Sequence, residues 1–170
     1  MLKIRQIDHI VLRVVDLEAM LNFYVGVLGC APEKNQEEVG LYQVRAGSSL
    51  IDFVPVDGKL GRMGGAPPGP EGRNLDHLCL RLDPFDPAEI TAELKEKGVD
   101  VGPVSSRYGA EGFGPSIYVK DPEGNTVELR GGSCRPTSAC RSQDATWHRR
   151  KPGRCSNAGV DCTPCEPGSG

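Results

Sequence analysis

The sequence predicts an α+β domain built from two βαβββ modules. Three observations carry that prediction. Two closely similar segments, IDHIVLRV at Ile7–Val14 and LDHLCLRL at Leu75–Leu82, stand 68 residues apart; a helical pattern follows each; and strand-like runs follow each helix. Self-similarity at a fixed offset is a statement about architecture, because a repeat that cannot bury its apolar face alone must pack on its neighbour.

Residues 4–14 (IRQIDHIVLRV) alternate as a half-buried strand does, with Ile10, Leu12 and Val14 on one face and His9, Val11 and Arg13 on the other. Asp16 supplies a helix N-cap, and Leu17, Met20, Leu21, Tyr24, Val27 and Leu28 recur at helical spacing up to Gly29, which suits the left-handed residue after a helix. Ala31–Ala46 hold two weaker strands, and SLIDFVPV at Ser49–Val56 forms a stronger one ending at the Asp57–Gly58 turn. Nine of the eighteen residues from Asp57 to Asn74 are Gly or Pro, so this stretch reads as a connecting loop. After the second copy of the repeat, Asp86 caps a helix with Pro87 in its first turn and Glu89 placed to reach back. Ile90 and Leu94 give that helix its buried side, and Gly98 ends it. Strands are expected at Val99–Val104, Pro115–Lys120 and Asn125–Arg130, with a turn at Asp121–Gly124. Module one thus spans about 4–57, the loop 58–74 and module two about 75–131.

A chain of 170 residues is one ordinary domain with little left for a second. A net charge of −3 gives no electrostatic reason to expect nucleic acid or an anionic membrane as partner, so a small molecule fits better. No apolar run is long enough to span a bilayer and no signal-peptide pattern opens the chain, which makes the cytosol the default expectation.

The repeat places similar chemistry at corresponding points. His9 and His77 share one position in the two first strands, and each module ends on a strand with a carboxylate among apolar residues, Asp52 in LIDFV and Glu128 in TVELR. A carboxylate inside a sheet is costly unless something pairs with it. A lone strand histidine is more often structural than a ligand, but its repetition points to an N/O site for a divalent first-row metal. Asp52 is the weaker ligand candidate, being one methylene shorter than Glu. Arg13 and Arg81, four residues after each histidine, share its strand face and suit a two-pronged contact with an anionic substrate group; a surface salt bridge is the plainer use. Ser105–Gly114 (SSRYGAEGFG) carries Arg107, Tyr108 and three glycines, a composition suited to a mobile rim over a pocket.

The pieces DHIVLRVVDLEAMLNFYVGVLG at Asp8–Gly29, LDHLCLRL at Leu75–Leu82 and SIYVKDPEGNTVELR at Ser116–Arg130 resemble the vicinal oxygen chelate superfamily over about residues 4–131. That superfamily includes glyoxalase I, extradiol dioxygenases, fosfomycin-resistance enzymes and bleomycin-binding proteins. The resemblance implies a cupped, mostly antiparallel eight-stranded sheet with helices on its outer side, around one divalent metal (Fe, Ni, Zn or Mn) at the positions of His9, Asp52, His77 and Glu128. It implies glyoxalase-like lyase or isomerase chemistry on vicinal substrate oxygens, with Glu128 shuttling a proton. Glyoxalase-like members usually carry Glu where this chain has Asp52. Without Asp52 the remaining two His and one carboxylate form the facial triad of Fe(II) dioxygenases. Tyr118, ten residues before Glu128, matches a substrate-binding Tyr of that branch, which would also need extra histidines. A non-catalytic drug-binding protein is the third reading, opposed by the presence of both histidines. Relatives of this size often form homodimers, with the site inside one chain or shared between two.

Residues 132–170 lie outside the resemblance. Residues 134–170 of this tail hold five of the seven cysteines and a formal +3, leaving −6 for residues 1–133, and the tail is expected to be disordered. His148, Cys155, Cys162 and Cys165 have the residue types of a zinc knot, but only one CxxC pair is present, which is weak support.

Overall fold

A computed structural model describes residues 2–71 and 73–133. The expectations for the tail, including the zinc knot, lie outside these residues. Module one runs β1 (His9–Val14), α1 (Leu17–Leu21), a π-helical segment (Asn22–Val27), β2 (Ala31–Gln36), β3 (Leu41–Ala46) and β4 (Ser49–Pro55). Module two repeats the order with β5 (His77–Arg81), α2 (Pro87–Glu96), β6 (Ser105–Gly109), β7 (Gly112–Lys120) and β8 (Thr126–Arg130).

The eight strands form two four-stranded sheets, β1-β4-β3-β2 and β5-β8-β7-β6. In each, the first strand lies parallel to the fourth and the remaining pairs are antiparallel. β1 and β5, the histidine strands, are therefore edge strands. Strand alternation gives each sheet two chemically distinct faces. Val14, Ile51 and Phe53 of the first sheet and Ile117, Val127 and Leu129 of the second join Met20, Phe23, Tyr24 and Leu94 from the helices in one core cluster. The helices thus cover the faces opposite the histidines, and the two modules share one core. Between the modules the buried Tyr24 hydroxyl donates to Asp121, and the Val15 and Asp16 amides donate to Glu123.

Both predicted caps are made: Asp16 accepts from the Ala19 amide, and Asp86 from the Ala88 and Glu89 amides. The first helix departs from regular α geometry after Leu21. The Leu28 amide bonds the Phe23 carbonyl, five residues back, and the wider turn lets the adjacent Phe23 and Tyr24 both face the core. Tyr24 then packs against Phe53 at 5.1 Å.

Two expected strands are corrected. β1 begins at His9 rather than at residue 4. Val99–Val104 is not a strand: Gly102 and Pro103 interrupt it, and only Val101 makes a bridge, to Val119. The strand in its place is β6, inside the segment read from sequence as a rim, so Ser105–Gly114 is a hairpin hydrogen-bonded into the sheet.

The Gly/Pro loop contains a short 3-10 turn at Gly61–Gly64. A Cβ on Gly61 would lie 1.9 Å from the Pro55 carbonyl oxygen, so close approach of backbone requires glycine there, and one on Gly64 would press on the Arg13 guanidinium, 2.4 Å from its Nε. Among the described residues no helix is long and apolar enough to cross a membrane.

Candidate functional site

In module one, β1 presents His9 and β4 presents Asp52 on the face away from the core. Asp8 lies 2.7 Å from His9 Nδ1, which leaves Nε2 as the outward ligand atom. That hydrogen bond raises the His9 pKa above 6.5, outweighing desolvation, and the charge of Asp52 adds to the rise. Asp52 is buried, and both its oxygens accept from Gln43 Nε2 at 3.0 and 3.1 Å. The pairing of Gln43 with Asp52 across β3 and β4 makes this contact direct.

Module two repeats the arrangement with closer contacts. Asp76 lies 2.7 Å from His77 Nδ1, and Nε2 lies 3.2 Å from Glu128 Oε2. Glu128 is buried, and its Oε1 accepts from the Ser116 hydroxyl at 2.5 Å. One oxygen is thereby fixed and the other faces the imidazole. Tyr118 pairs with Glu128 across β7 and β8 and stands edge-on to His77, ring centroids 5.8 Å apart. Cys79, beside Glu128, has its thiol pushed up to about 11 by burial first and by the Glu128 charge second.

Within one chain the four sequence-derived ligands form two pairs, His9 with Asp52 and His77 with Glu128. Among the described residues no three His, Cys, Asp or Glu side chains lie close enough to hold one metal. A cleft of about 590 Å³ between the modules, lined by Ile10, Leu28, Cys30, Leu50, Leu78 and Leu80 among others, contains none of the four. The pairs instead occupy the outer faces beside the free edges of β1 and β5, with the His9 and His77 side chains 48% and 36% exposed.

The remaining predicted site residues fall in three different settings. Arg13 directs its terminal nitrogens to the carbonyls of Gly61, Gly64, Gly65 and Ala66, and its Nε is buried without a partner. Its charge fastens the loop and leaves no terminal donor for a ligand. Arg107 shares the face of His77 and Glu128, with its guanidinium 6.0 Å over the Tyr118 ring. Tyr108, one residue on, points to the opposite face and meets Phe113 edge-to-face at 5.2 Å; as a side chain expected beside the pocket it is displaced by strand alternation. Arg81 pairs with Glu111.

Sequence reasoning missed the supporting residues Asp8, Asp76, Gln43 and Ser116. The Asp-His dipeptide, present in both repeats, was the available signal for the first two. Gln43 and Ser116 required the strand register.

A protein of Salmonella typhimurium (strain LT2) described as virulence protein STM3117 is 29% identical to this chain over 133 residues, 74% of this chain and 83% of the relative. The glyoxalase domain-containing protein RDO1 of Mycosarcoma maydis is 31% identical over 134 residues, 75% of this chain and 69% of that protein. Among solved structures, TnmS3, an antibiotic binding protein from Streptomyces sp. CB03234, superposes with a TM-score of 0.59 at 28% identity, covering 78% of this chain and all of its own. Residues 6–129 match one family along nearly the whole of the two modules, and the chain belongs to that family, the Glyoxalase/Bleomycin resistance protein/Dioxygenase superfamily.

Proposed function

We propose that this chain is a metal-dependent, glyoxalase-like lyase or isomerase that binds a small substrate through vicinal oxygens, with its site completed between two copies. One observation carries the reading: in each module an Asp-His dipeptide stands on a free edge strand, on the same sheet face as a buried carboxylate, and in module two the imidazole lies 3.2 Å from that carboxylate. Two imidazole nitrogens and two carboxylates are a donor set that fits a divalent first-row ion. A homodimer that sets β1 of one chain beside β5 of the other unites His9 and Asp52 with His77 and Glu128, twice per dimer. Val11, 51% exposed on β1 between His9 and Arg13, then becomes interface.

When bound, the metal supplies Lewis-acid polarisation of the substrate oxygens. Asp8 and Asp76 fix the imidazole tautomers. Ser116 holds Glu128 by one oxygen, leaving the other to take a proton from one substrate carbon and return it to the next. Tyr118, against His77, orients the substrate.

The second reading, an Fe(II) dioxygenase, is favoured by Asp52: both its oxygens are engaged by Gln43, which leaves His9, His77 and Glu128 as a three-ligand set. The test is metal titration of the full chain beside His9→Ala and Glu128→Ala, which cancels any contribution of the tail cysteines. About one ion per chain, lost in both variants, with anaerobic turnover of a glutathione hemithioacetal, supports the first reading. Oxygen uptake with catechols supports the second. A wild type that takes up no ion overturns both and leaves a binding protein.

A further inference from the structure

We propose that the outer face of the second sheet carries an oxyanion subsite built on Arg107, which takes the carboxylate or phosphate group of a substrate whose vicinal oxygens lie at His77 and Glu128. The inference rests on the function proposed above and names its substrate class, small anionic chelators. Alternation and register place Arg81, Arg130 and Arg107 on this face, beyond Glu128 from the Thr126 end, with Glu111 as the acid that answers them through Arg81. With Glu128 on the same face, three arginines stand against two carboxylates, an excess of one positive charge on a chain that as a whole is anionic.

The three arginines have different tasks. Arg81 is occupied by Glu111. Arg130, only 6% exposed, donates to the carbonyls of Arg107 and Gly112 and so fixes the backbone of the β6–β7 hairpin. It is a positioning residue. Arg107 stands on the backbone so fixed, and among the described residues its guanidinium makes a single hydrogen bond, 3.3 Å long, to the neighbouring Ser106 carbonyl.

An exposed arginine on an edge strand is ordinarily just solvated. Arg107 differs in its neighbours: it lies over the Tyr118 ring, and that ring contacts the imidazole of His77. A ligand body resting on Tyr118 reaches the imidazole with one end and the guanidinium with the other. The planar fork of arginine suits a two-oxygen anion better than a point charge does.

Two titrations with full-length protein test the subsite. In metal-free protein, inorganic phosphate is added while the Nε–H resonances of the arginines are followed by NMR, with Arg107→Gln identifying its own signal by its absence. A saturable shift centred on Arg107 is expected; no shift, or equal shifts at all exposed arginines, overturns the proposal. In zinc-loaded protein, calorimetry compares catechol with 3-(3,4-dihydroxyphenyl)propanoate. The carboxylated chelator should bind about tenfold more tightly. Arg107→Gln should bring the two affinities together, and Arg107→Lys should keep part of the preference. Equal binding of the two chelators by wild type overturns the subsite and leaves the metal site standing. A phosphate shift without metal uptake supports the subsite and overturns the metal reading instead.

Discussion

Asp121 is the sharpest place to perturb the packing of the two modules on each other. It is 4% exposed and accepts from the Tyr24 hydroxyl (3.2 Å), the Glu123 amide (3.1 Å), the Asn125 amide and the Asn125 side chain (both 2.8 Å). Tyr24→Phe removes one of four donors and leaves the carboxylate well satisfied, so the cost is about 1 kcal/mol. Asp121→Ala strands a fully buried hydroxyl, at about 1–3 kcal/mol, and takes the acceptor from two turn amides at about 1 kcal/mol each, so about 3–5 kcal/mol in all. In the Tyr24→Phe background no hydroxyl is stranded, and Asp121→Ala should cost about 1–3 kcal/mol less. The assay is urea unfolding followed by circular dichroism at one fixed protein concentration. Costs that add to within about 0.5 kcal/mol would refute the coupling, and with it the packing of the first helix on the second module of the same chain.

Burial, with the charge of Asp121, raises the Tyr24 pKa far above 10.0, so its stabilising effect is complete below pH 10 and is lost as pH rises beyond it. Native absorbance titration should therefore show at least one tyrosine fewer than the four that ionise in denaturant. Because the His9 pKa is raised, proton binding favours the fold fully below pH 6.5, and that contribution disappears as pH rises through the folded value. A metal competes with this proton, so uptake should strengthen as pH rises above 6.5, and Asp8→Asn should move its midpoint to lower pH; an unmoved midpoint would contradict the role given to Asp8. In chelator-treated protein Cys79, with its pKa near 11 rather than 9.0, should alkylate at pH 8 with roughly a hundredfold smaller thiolate fraction than an ordinary thiol, a rate readable by peptide mass spectrometry.

The parts of the fold written in local chemistry were legible in the sequence. Both histidine strands, both Asp caps, the Asp121–Gly124 turn and the burial of Leu94 follow from alternation, capping and turn residues. What escaped depends on neighbours far along the chain. β6 was misplaced because Val99–Val104 has strand-like valines, yet its Gly-Pro pair prevents laddering, whereas SSRYG pairs only because β7 lies beside it. The π turn that turns both Phe23 and Tyr24 inward leaves no mark in a helical periodicity. At the site, the histidines and carboxylates were visible as repeats. The use of Arg13 was not, since four carbonyls of a glycine loop can be recruited only once that loop has folded back over β1.

In the proposed dimer the metal site draws His9 and Asp52 from one chain and His77 and Glu128 from another. The most direct measurement unfolds and refolds His9→Ala chains together with an equal amount of His77→Ala chains, then reads bound metal against each variant alone. Random pairing makes half the dimers mixed, and each mixed dimer holds one intact site and one doubly defective site. A site shared between chains should recover about one quarter of the wild-type metal content above that of either variant. A mixture that binds no more than the two variants separately would contradict it.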